Sequence, residues 1–325
     1  MPRFTSHGEV VYEQSSQGRV VHNFWGDYRQ YWPGEAKPAA QQQGGCGVCQ
    51  QQPPTPPAFS SIEEWFDRVE AIPSDFHEHM ATVRNLAAQA DTVIELSRWL
   101  KPSCLALAAG KPKMLVSICP GPKPEWPQIQ QLLKETTEFK GILKESLDAD
   151  LVECDLLFID TWHRASVLSA ELERWAPHCR GRIVIHCTQT YGEAGDDGTP
   201  GVLPALRQFV RQNPHWSVID HFENNHGLVV LSCRNEDKPE LPSKARQVLN
   251  FTKAMLKFTM SGLPVLDEAQ VEGRLDRCAL CKARVDETCS KCGCPLIEGK
   301  AGVPGKAFVP TERCPYEKWP EVRPQ

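Results

Sequence analysis

The chain lacks any run of about 18 apolar residues, the minimum a membrane-spanning helix needs. Its N-terminus lacks the basic-then-apolar pattern of a secretory signal. Neither a membrane partner nor signal-directed secretion is therefore expected. An excess of positive charge is missing too: 36 Lys and Arg stand against 41 Asp and Glu, a net charge of −5. Residues 59–239 are more acidic still, with 18 basic against 26 acidic side chains. Such a surface repels a phosphate backbone, so no nucleic-acid partner is expected. No internal repeat is visible beyond a recurring C-x-x-C.

Proline and cysteine are abundant instead. The 27 prolines among 325 residues exceed an average usage of about 5%. The 14 cysteines split into two sets. Six are scattered singly from Cys104 to Cys233. The other eight cluster as Cys46, Cys49, Cys278, Cys281, Cys289, Cys292, Cys294 and Cys314. Paired cysteines in a chain without a signal favour metal over disulfides.

Composition divides the chain into four. Residues 1–58 read as an arm and linker. Gln41 to Pro57 is almost wholly Gln, Gly, Pro and Cys, too polar to offset its own ordering entropy. Upstream, Phe24, Trp25, Tyr28, Tyr31 and Trp32 form an aromatic run. Exposed together they would make a patch that soluble monomers rarely carry, so the arm is expected to dock, on its own body or on a partner. Residues 59–239 form an α/β domain, 240–270 a connecting helix, and 271–325 a cysteine-rich module.

The α/β domain opens at Ser61, where Ser61 and Glu64 have capping-box spacing. A second helix follows, with Phe76, Met80, Val83 and Leu86 spaced for one buried face. Apolar β-type runs then occur at 92–96, 114–119, 155–160, 182–186, 216–220 and 228–231, with a weaker one at 141–144. Helical stretches at 126–137, 167–175 and 202–212 lie between most of them. Continuous apolar strands alternating with helices argue for a mostly parallel sheet covered on both faces. The last two strands have only a short connection and read as an antiparallel edge pair. Ser243 to Met260 is a further helix, with Val248, Phe251, Met255 and Phe258 on one side.

Six segments in this order resemble the class I S-adenosylmethionine-dependent methyltransferases, nearest to the sugar O-methyltransferase and cephalosporin-hydroxylase-like subgroup. They are FHEHMATVRNLA (76–87), VIELSRWLKPSCLAL (93–107), LVSIC (115–119), DLLFIDTWHRASVLSAELERWAPHCRGRIVIHCT (155–188), GVLPALRQFV (201–210) and NNHGLVVLS (224–232). The resemblance implies a Rossmann-like, seven-stranded, mostly parallel sheet, with a cofactor crevice at the strand C-termini.

Three departures fall at that crevice. After the first strand the family carries glycines. Glu95 is retained, but Ser97 and Leu100 stand at or near the glycine positions, where left-handed geometry would cost a side chain about 1–2 kcal/mol. The second strand ends in Cys119 rather than the acidic residue that binds the ribose hydroxyls, a charge-assisted bond worth roughly 1.5–3 kcal/mol. The fourth strand keeps Asp160, followed by His163. The fifth ends His186-Cys187, where the subgroup shows His-Asp and binds a hard divalent ion; a thiolate does not suit magnesium. Asp160, His163 and His186 are accordingly read as remnants of a cleft, and Glu95 and Ser97 as remnants of a cofactor loop. The mixed oxygen, nitrogen and sulfur donors of Asp160, His163, His186 and Cys187 would suit zinc or iron, although ordinary hydrogen bonding is the preferred reading. No S-adenosylmethionine binding is expected.

The C-terminal pattern is the most specific one in the chain. Cys278-x-x-Cys281 and Cys289-x-x-Cys292 form two knuckles, with Cys294 after Gly293 and Cys314 further on. Such knuckles place thiolates at tetrahedral reach of Zn²⁺. Cys278, Cys281, Cys289 and Cys292 are the first candidate ligands and Cys314 and Cys294 the next. An iron–sulfur cluster or a disulfide framework would use the same residues. Cys46 and Cys49 could complete a second site. The module, ending CPYEKW (314–319), resembles tails found on structural and sugar-transfer-type proteins of tailed phages and their bacterial relatives, which implies docking rather than catalysis.

Together these features lead us to expect a non-catalytic, methyltransferase-like scaffold with a structural zinc module, cytoplasmic or virion-associated. Protein partners or self-association would run through the arm. The competing expectation is an active methyltransferase on a small or glycan-linked hydroxyl.

Overall fold

The structure, a computed structural model, describes residues 59–98, 102–121, 123, 125–262, 265–298 and 303–322, with a two-stranded antiparallel pair, Arg3–Phe4 and Val10–Val11, in the N-terminal segment. The chain divides into two units, 1–58 and 59–325. The aromatic run 24–32, Cys46, Cys49 and Leu100 lie outside the described residues.

In the second unit, β1 (Thr92–Ser97), β2 (Met114–Cys119), β3 (Glu138–Leu143), β4 (Cys154–Asp160), β5 (Cys179–His186), β6 (Ser217–Phe222) and β7 (Leu228–Ser232) form one sheet. Its order is β3-β2-β1-β4-β5-β7-β6. Only β7 runs against its neighbours, and it pairs with β5 on one side and β6 on the other. The expected edge pair is therefore present. The weak third strand starts at Glu138, three residues earlier than its apolar content indicates, because it is an edge strand with one buried residue, Phe139.

The period of two sorts the strand residues between two helical layers. Ile94, Leu96, Leu157, Ile159, Ile183 and Ile185 share a core with α5 (Ala165–Trp175) and α6 (Val202–Gln212). The opposite parity faces α1 (Ile62–Glu70), α2 (Met80–Ala87) and α3 (Pro102–Ala109), with Phe76 set edge-on against Phe158. Glu95 and Ser117 are register partners of this second parity, which places two polar side chains inside an apolar layer.

Several helices differ from their sequence reading. At α1 the Ser61 hydroxyl caps Glu64 N–H, but the Glu64 carboxylate turns back to Ser60 rather than to Ser61. In α2 the face is closed by Ala87, and Leu86 is only half-buried. Helix α3 is new: its residues are buried nearly all round, so it has no polar stripe to betray a helical period. Helix α4 (Trp126–Leu133) stops before Thr136 and Thr137, whose N–H groups both return to the Leu133 carbonyl.

Helix α7 (Lys244–Met260) buries Phe258 and packs Phe251 and Met255 as expected, but Val248 is 65% exposed. Polar residues take its place. Gln247 lies against Gly293, and Asn250 donates to the Cys292 carbonyl, because this half of the helix crosses module backbone. Helix α8 (Glu268–Ala279) begins with a capping box at Asp267 and Gln270 and carries the first cysteine of the module. Three two-residue strands follow: β8 (Arg284–Val285), β9 (Thr288–Cys289) and β10 (Cys294–Pro295). Among the described residues no helix is long and apolar enough to cross a membrane.

Candidate functional site

The parallel strands deliver their C-termini to one edge of the sheet, where two polar clusters lie. The first surrounds Glu95, which is fully buried on β1. Ser103 Oγ donates to one carboxylate oxygen at 2.7 Å. Ser117 Oγ and Lys123 Nζ donate to the other, the lysine at 2.9 Å. Trp126 Nε1 donates in turn to Ser117 Oγ at 3.2 Å. Lys123 is itself buried; burial opposes its charge, but Glu95, with Glu125 nearby, outweighs that and raises its pKa. Glu125 is buried beside the pair, and burial pushes its carboxyl up to about 8.

Beside this cluster, Ser97 continues β1 as extended strand and is not among the residues with positive φ. The left-handed strain expected for a non-glycine there is absent. Arg98 stacks its guanidinium on the Trp162 ring, and burial lowers its pKa to about 10. Arg164 approaches the same ring at 4.8 Å and pairs with Asp197 at 2.9 Å. Cys119, at the end of β2, is buried, and burial raises its thiol pKa.

The second cluster lies at the ends of β4 and β5. Asp160 Oδ2 is 3.2 Å from His186 Nδ1, and Asp160 Oδ1 is 3.5 Å from His163 Nε2. His186 Nε2 meets the Asp75 carbonyl at 3.1 Å. Both ring nitrogens of His186 thus face oxygen acceptors, an arrangement that suits the doubly protonated imidazolium. Burial works against that charge, but Cys187 and Asp160 outweigh it and lift the pKa to about 10. His163 stacks on Tyr191 at 4.3 Å and is likewise lifted, against burial, to about 9 by Asp160 and Cys187. Cys187 sits at φ +61°, outside the region side chains prefer, and its sulfur lies 3.3 Å from His186 Nδ1. One ligand atom each from Asp160, His163 and Cys187 falls within 4.8 Å of the others. Among the described residues this is the one group of His, Cys, Asp or Glu side chains so compact. It brings together two of the three expected cleft residues plus Cys187. His186 braces them rather than joining them.

The expected metal cysteines are also brought near one another, less tightly. Cys278, Cys281, Cys289 and Cys314 line one small cavity. Cys294 lines a separate hollow against α7 with Phe251 and Met255, and Cys292 receives Lys306 Nζ at 3.6 Å. No three of these sulfurs lie within 4.8 Å of one another.

Strand order with one reversed strand and helices on both faces match what the sequence resemblance implied. The α/β body has a class I methyltransferase-like fold. Solved structures similar to it include an O-methyltransferase from Bacillus cereus in complex with SAH (16% identity, 55% of this chain and 92% of that one, TM-score 0.39). TYW2 of M. jannaschii in complex with AdoMet has 16% identity over 50% and 76% of the two chains, TM-score 0.34. The N-methyltransferase NodS from Bradyrhizobium japonicum in complex with S-adenosyl-L-homocysteine has 10% identity over 53% and 97%, TM-score 0.37. No family model matches the sequence, and no curated protein matches it.

Sequence reasoning reached Glu95, Ser97, Asp160, His163, His186 and Cys187. It missed Lys123, Glu125, Ser103 and Ser117. Lys123 follows Glu95 by 28 residues across a loop, and no motif spacing links a loop lysine to a strand glutamate.

Proposed function

We propose that this chain is a non-methylating member of the methyltransferase-like fold that serves as a structural or interaction component of a larger assembly. The observation that carries the proposal is the Lys123–Glu95 cross-link. The loop after β2, whose family role is to hold the cofactor's ribose, instead buries a lysine against the β1 carboxylate. With Cys119 at the strand end, no carboxylate there is offered to a ligand. Arg98 on Trp162 occupies the neighbouring strand end. The family's hard divalent ion fits no better, because Cys187 stands in place of a carboxylate and the Asp160 carboxylate is already engaged by His186 Nδ1 at 3.2 Å. The exposed apolar side chains of α7 support the interaction role.

Isothermal titration calorimetry with S-adenosylmethionine tests the reading. No heat of binding is expected at ~100 µM ligand. Saturable binding, with methyl transfer to a hydroxyl acceptor, would establish the competing enzyme instead.

The compactness of Asp160, His163 and Cys187 favours one second reading: a thiophilic ion in place of magnesium, held by carboxylate, imidazole and thiolate. It predicts metal in purified protein that Cys187→Ser removes. Metal content unchanged by that substitution leaves the cluster as an internal ion pair.

A further inference from the structure

We propose that Cys278, Cys281, Cys289 and Cys314 bind a single zinc ion that closes the C-terminal module, and that Cys292 and Cys294 stand outside the ligand set. This differs from the pairing of two complete knuckles that spacing alone favours, and it is independent of whether the α/β body methylates anything.

Four observations carry it. The first is placement. Cys278 sits on the last turn of α8, and Cys281 N–H returns to the Cys278 carbonyl at 3.1 Å, the tight turn of a metal knuckle. Cys314 arrives from the far side in a turn held by its N–H on the Trp319 carbonyl at 3.0 Å. Cys289 packs with Cys278, Cys314 and Trp319 in the module's own core. These four share a cavity; Cys294 looks into a different one.

The second is the donor shell. Trp319 Nε1 points at Cys278 Sγ and Tyr316 N–H at Cys314 Sγ, each at 3.4 Å. N–H groups aimed at sulfur orient and stabilise thiolates, as outer-shell donors do around metal ligands. Neither donor reaches Cys292 or Cys294.

The third is charge. Arg284 and Lys306, both under 10% exposed, line the same cavity. Arg284 Nη1 is buried and has no hydrogen-bond partner among the described residues. A buried guanidinium facing neutral thiols is costly. Lys306 already meets Glu312 at 3.7 Å and Cys292 Sγ at 3.6 Å. Arg284 has no such partner among the described residues, and zinc with four thiolates, at a net charge of −2, would supply its anion.

The fourth is core size. The module's own buried apolar cluster is small: Cys278, Leu296, Cys314 and Trp319, with Leu275, Cys289 and Ile297 partly buried against it. That is too little to hold the segment together without a staple. The sulfurs stand further apart than coordination requires, so binding draws them inward. Zn²⁺ takes four sulfur lone pairs, and the thiol protons leave to solvent.

The test uses the full chain purified under reducing conditions. Elemental analysis should give about one zinc per chain, and X-ray absorption on the unmodified protein should show four sulfurs at roughly 2.3 Å. Cys281→Ser and Cys314→Ser should each lose the zinc. Cys292→Ser, Cys294→Ser and Cys187→Ser should each keep it, which separates this site from the cluster at Asp160. Because a ligand variant can misfold, cobalt replacement in Cys292→Ser and Cys294→Ser gives a second readout: both should retain the thiolate-to-cobalt absorption of the parent. Zinc lost from Cys292→Ser but kept in Cys314→Ser overturns the ligand set. Bound iron with labile sulfide, disulfides with no metal, or nitrogen and oxygen ligands around the zinc overturns the site itself.

Discussion

Truncating Lys123 would strand Glu95 inside an apolar layer. Breaking one partner from a buried pair costs about 3–5 kcal/mol. Lys123→Met should therefore lower urea-unfolding stability at pH 7 by that amount, and adding Glu95→Gln should restore much of it. An equal loss in the single and double variants would show that packing, not charge, governs the site. Glu125 gives a pH signature. Its folded pKa of about 8 lies above the ordinary 4.5. The folded state therefore holds a proton the unfolded state releases, so this stabilising contribution is complete below pH 4.5 and lost as pH rises through about 8. Glu125→Gln should flatten stability across that window by a few kcal/mol, seen as converging melting curves at pH 5 and pH 8. Of the residues involved, the sequence made the strand-end ones legible, because a strand C-terminus in a parallel sheet is where chemistry gathers. Lys123 and Ser103 were illegible because they act from a loop and from a helix buried nearly all round, where neither spacing nor period marks them.

Elements follow the same division. Strands buried on both faces read directly, since their apolar runs are continuous. Helix α3 did not, because burial on every side erases the period that reveals a helix. Helix α8 did not, because cysteine spacing drew the reading away from its cap. Caps remain cheap to test: Ser61→Ala should cost about 1 kcal/mol by removing the acceptor for Glu64 N–H, measured by denaturant midpoint. Helix α7 bears on association. Val248, Leu249, Leu256 and Met260 are each more than half exposed on a helix that also carries Lys244, Arg246, Lys253 and Lys257 and no acidic residue. Replacing Val248 and Leu256 together with Gln should leave stability within about 0.5 kcal/mol but reduce any oligomer seen by light scattering. An unchanged mass distribution would remove α7 from the assembly surface.

At the scale of the whole second unit, body and module meet along a seam of two kinds of contact. Lys282–Asp220 at 2.8 Å and Lys238–Asp286 at 3.3 Å bridge it at the surface. Leu280, between the two cysteines of the first knuckle, is buried in the core of the α/β body. Exposed pairs are worth little and are screened by salt. We expect 1 M NaCl to change stability by less than about 1 kcal/mol, and Leu280→Ala to lower it by about 2–5 kcal/mol, with the cysteine module becoming protease-sensitive first. The cavity lined by Cys278, Cys281, Cys289 and Cys314 also has a consequence in time. Its last wall, Cys314 with Trp319, leaves the ribosome roughly 25 residues after Cys289, an interval of about 1–5 s at ordinary elongation rates. Throughout that interval the earlier thiols are exposed and incompletely enclosed, so the nascent chain passes through a window of vulnerability to oxidation that the finished molecule does not have. Heterologous expression should therefore reward a reducing host with zinc in the medium during translation far more than zinc added after lysis.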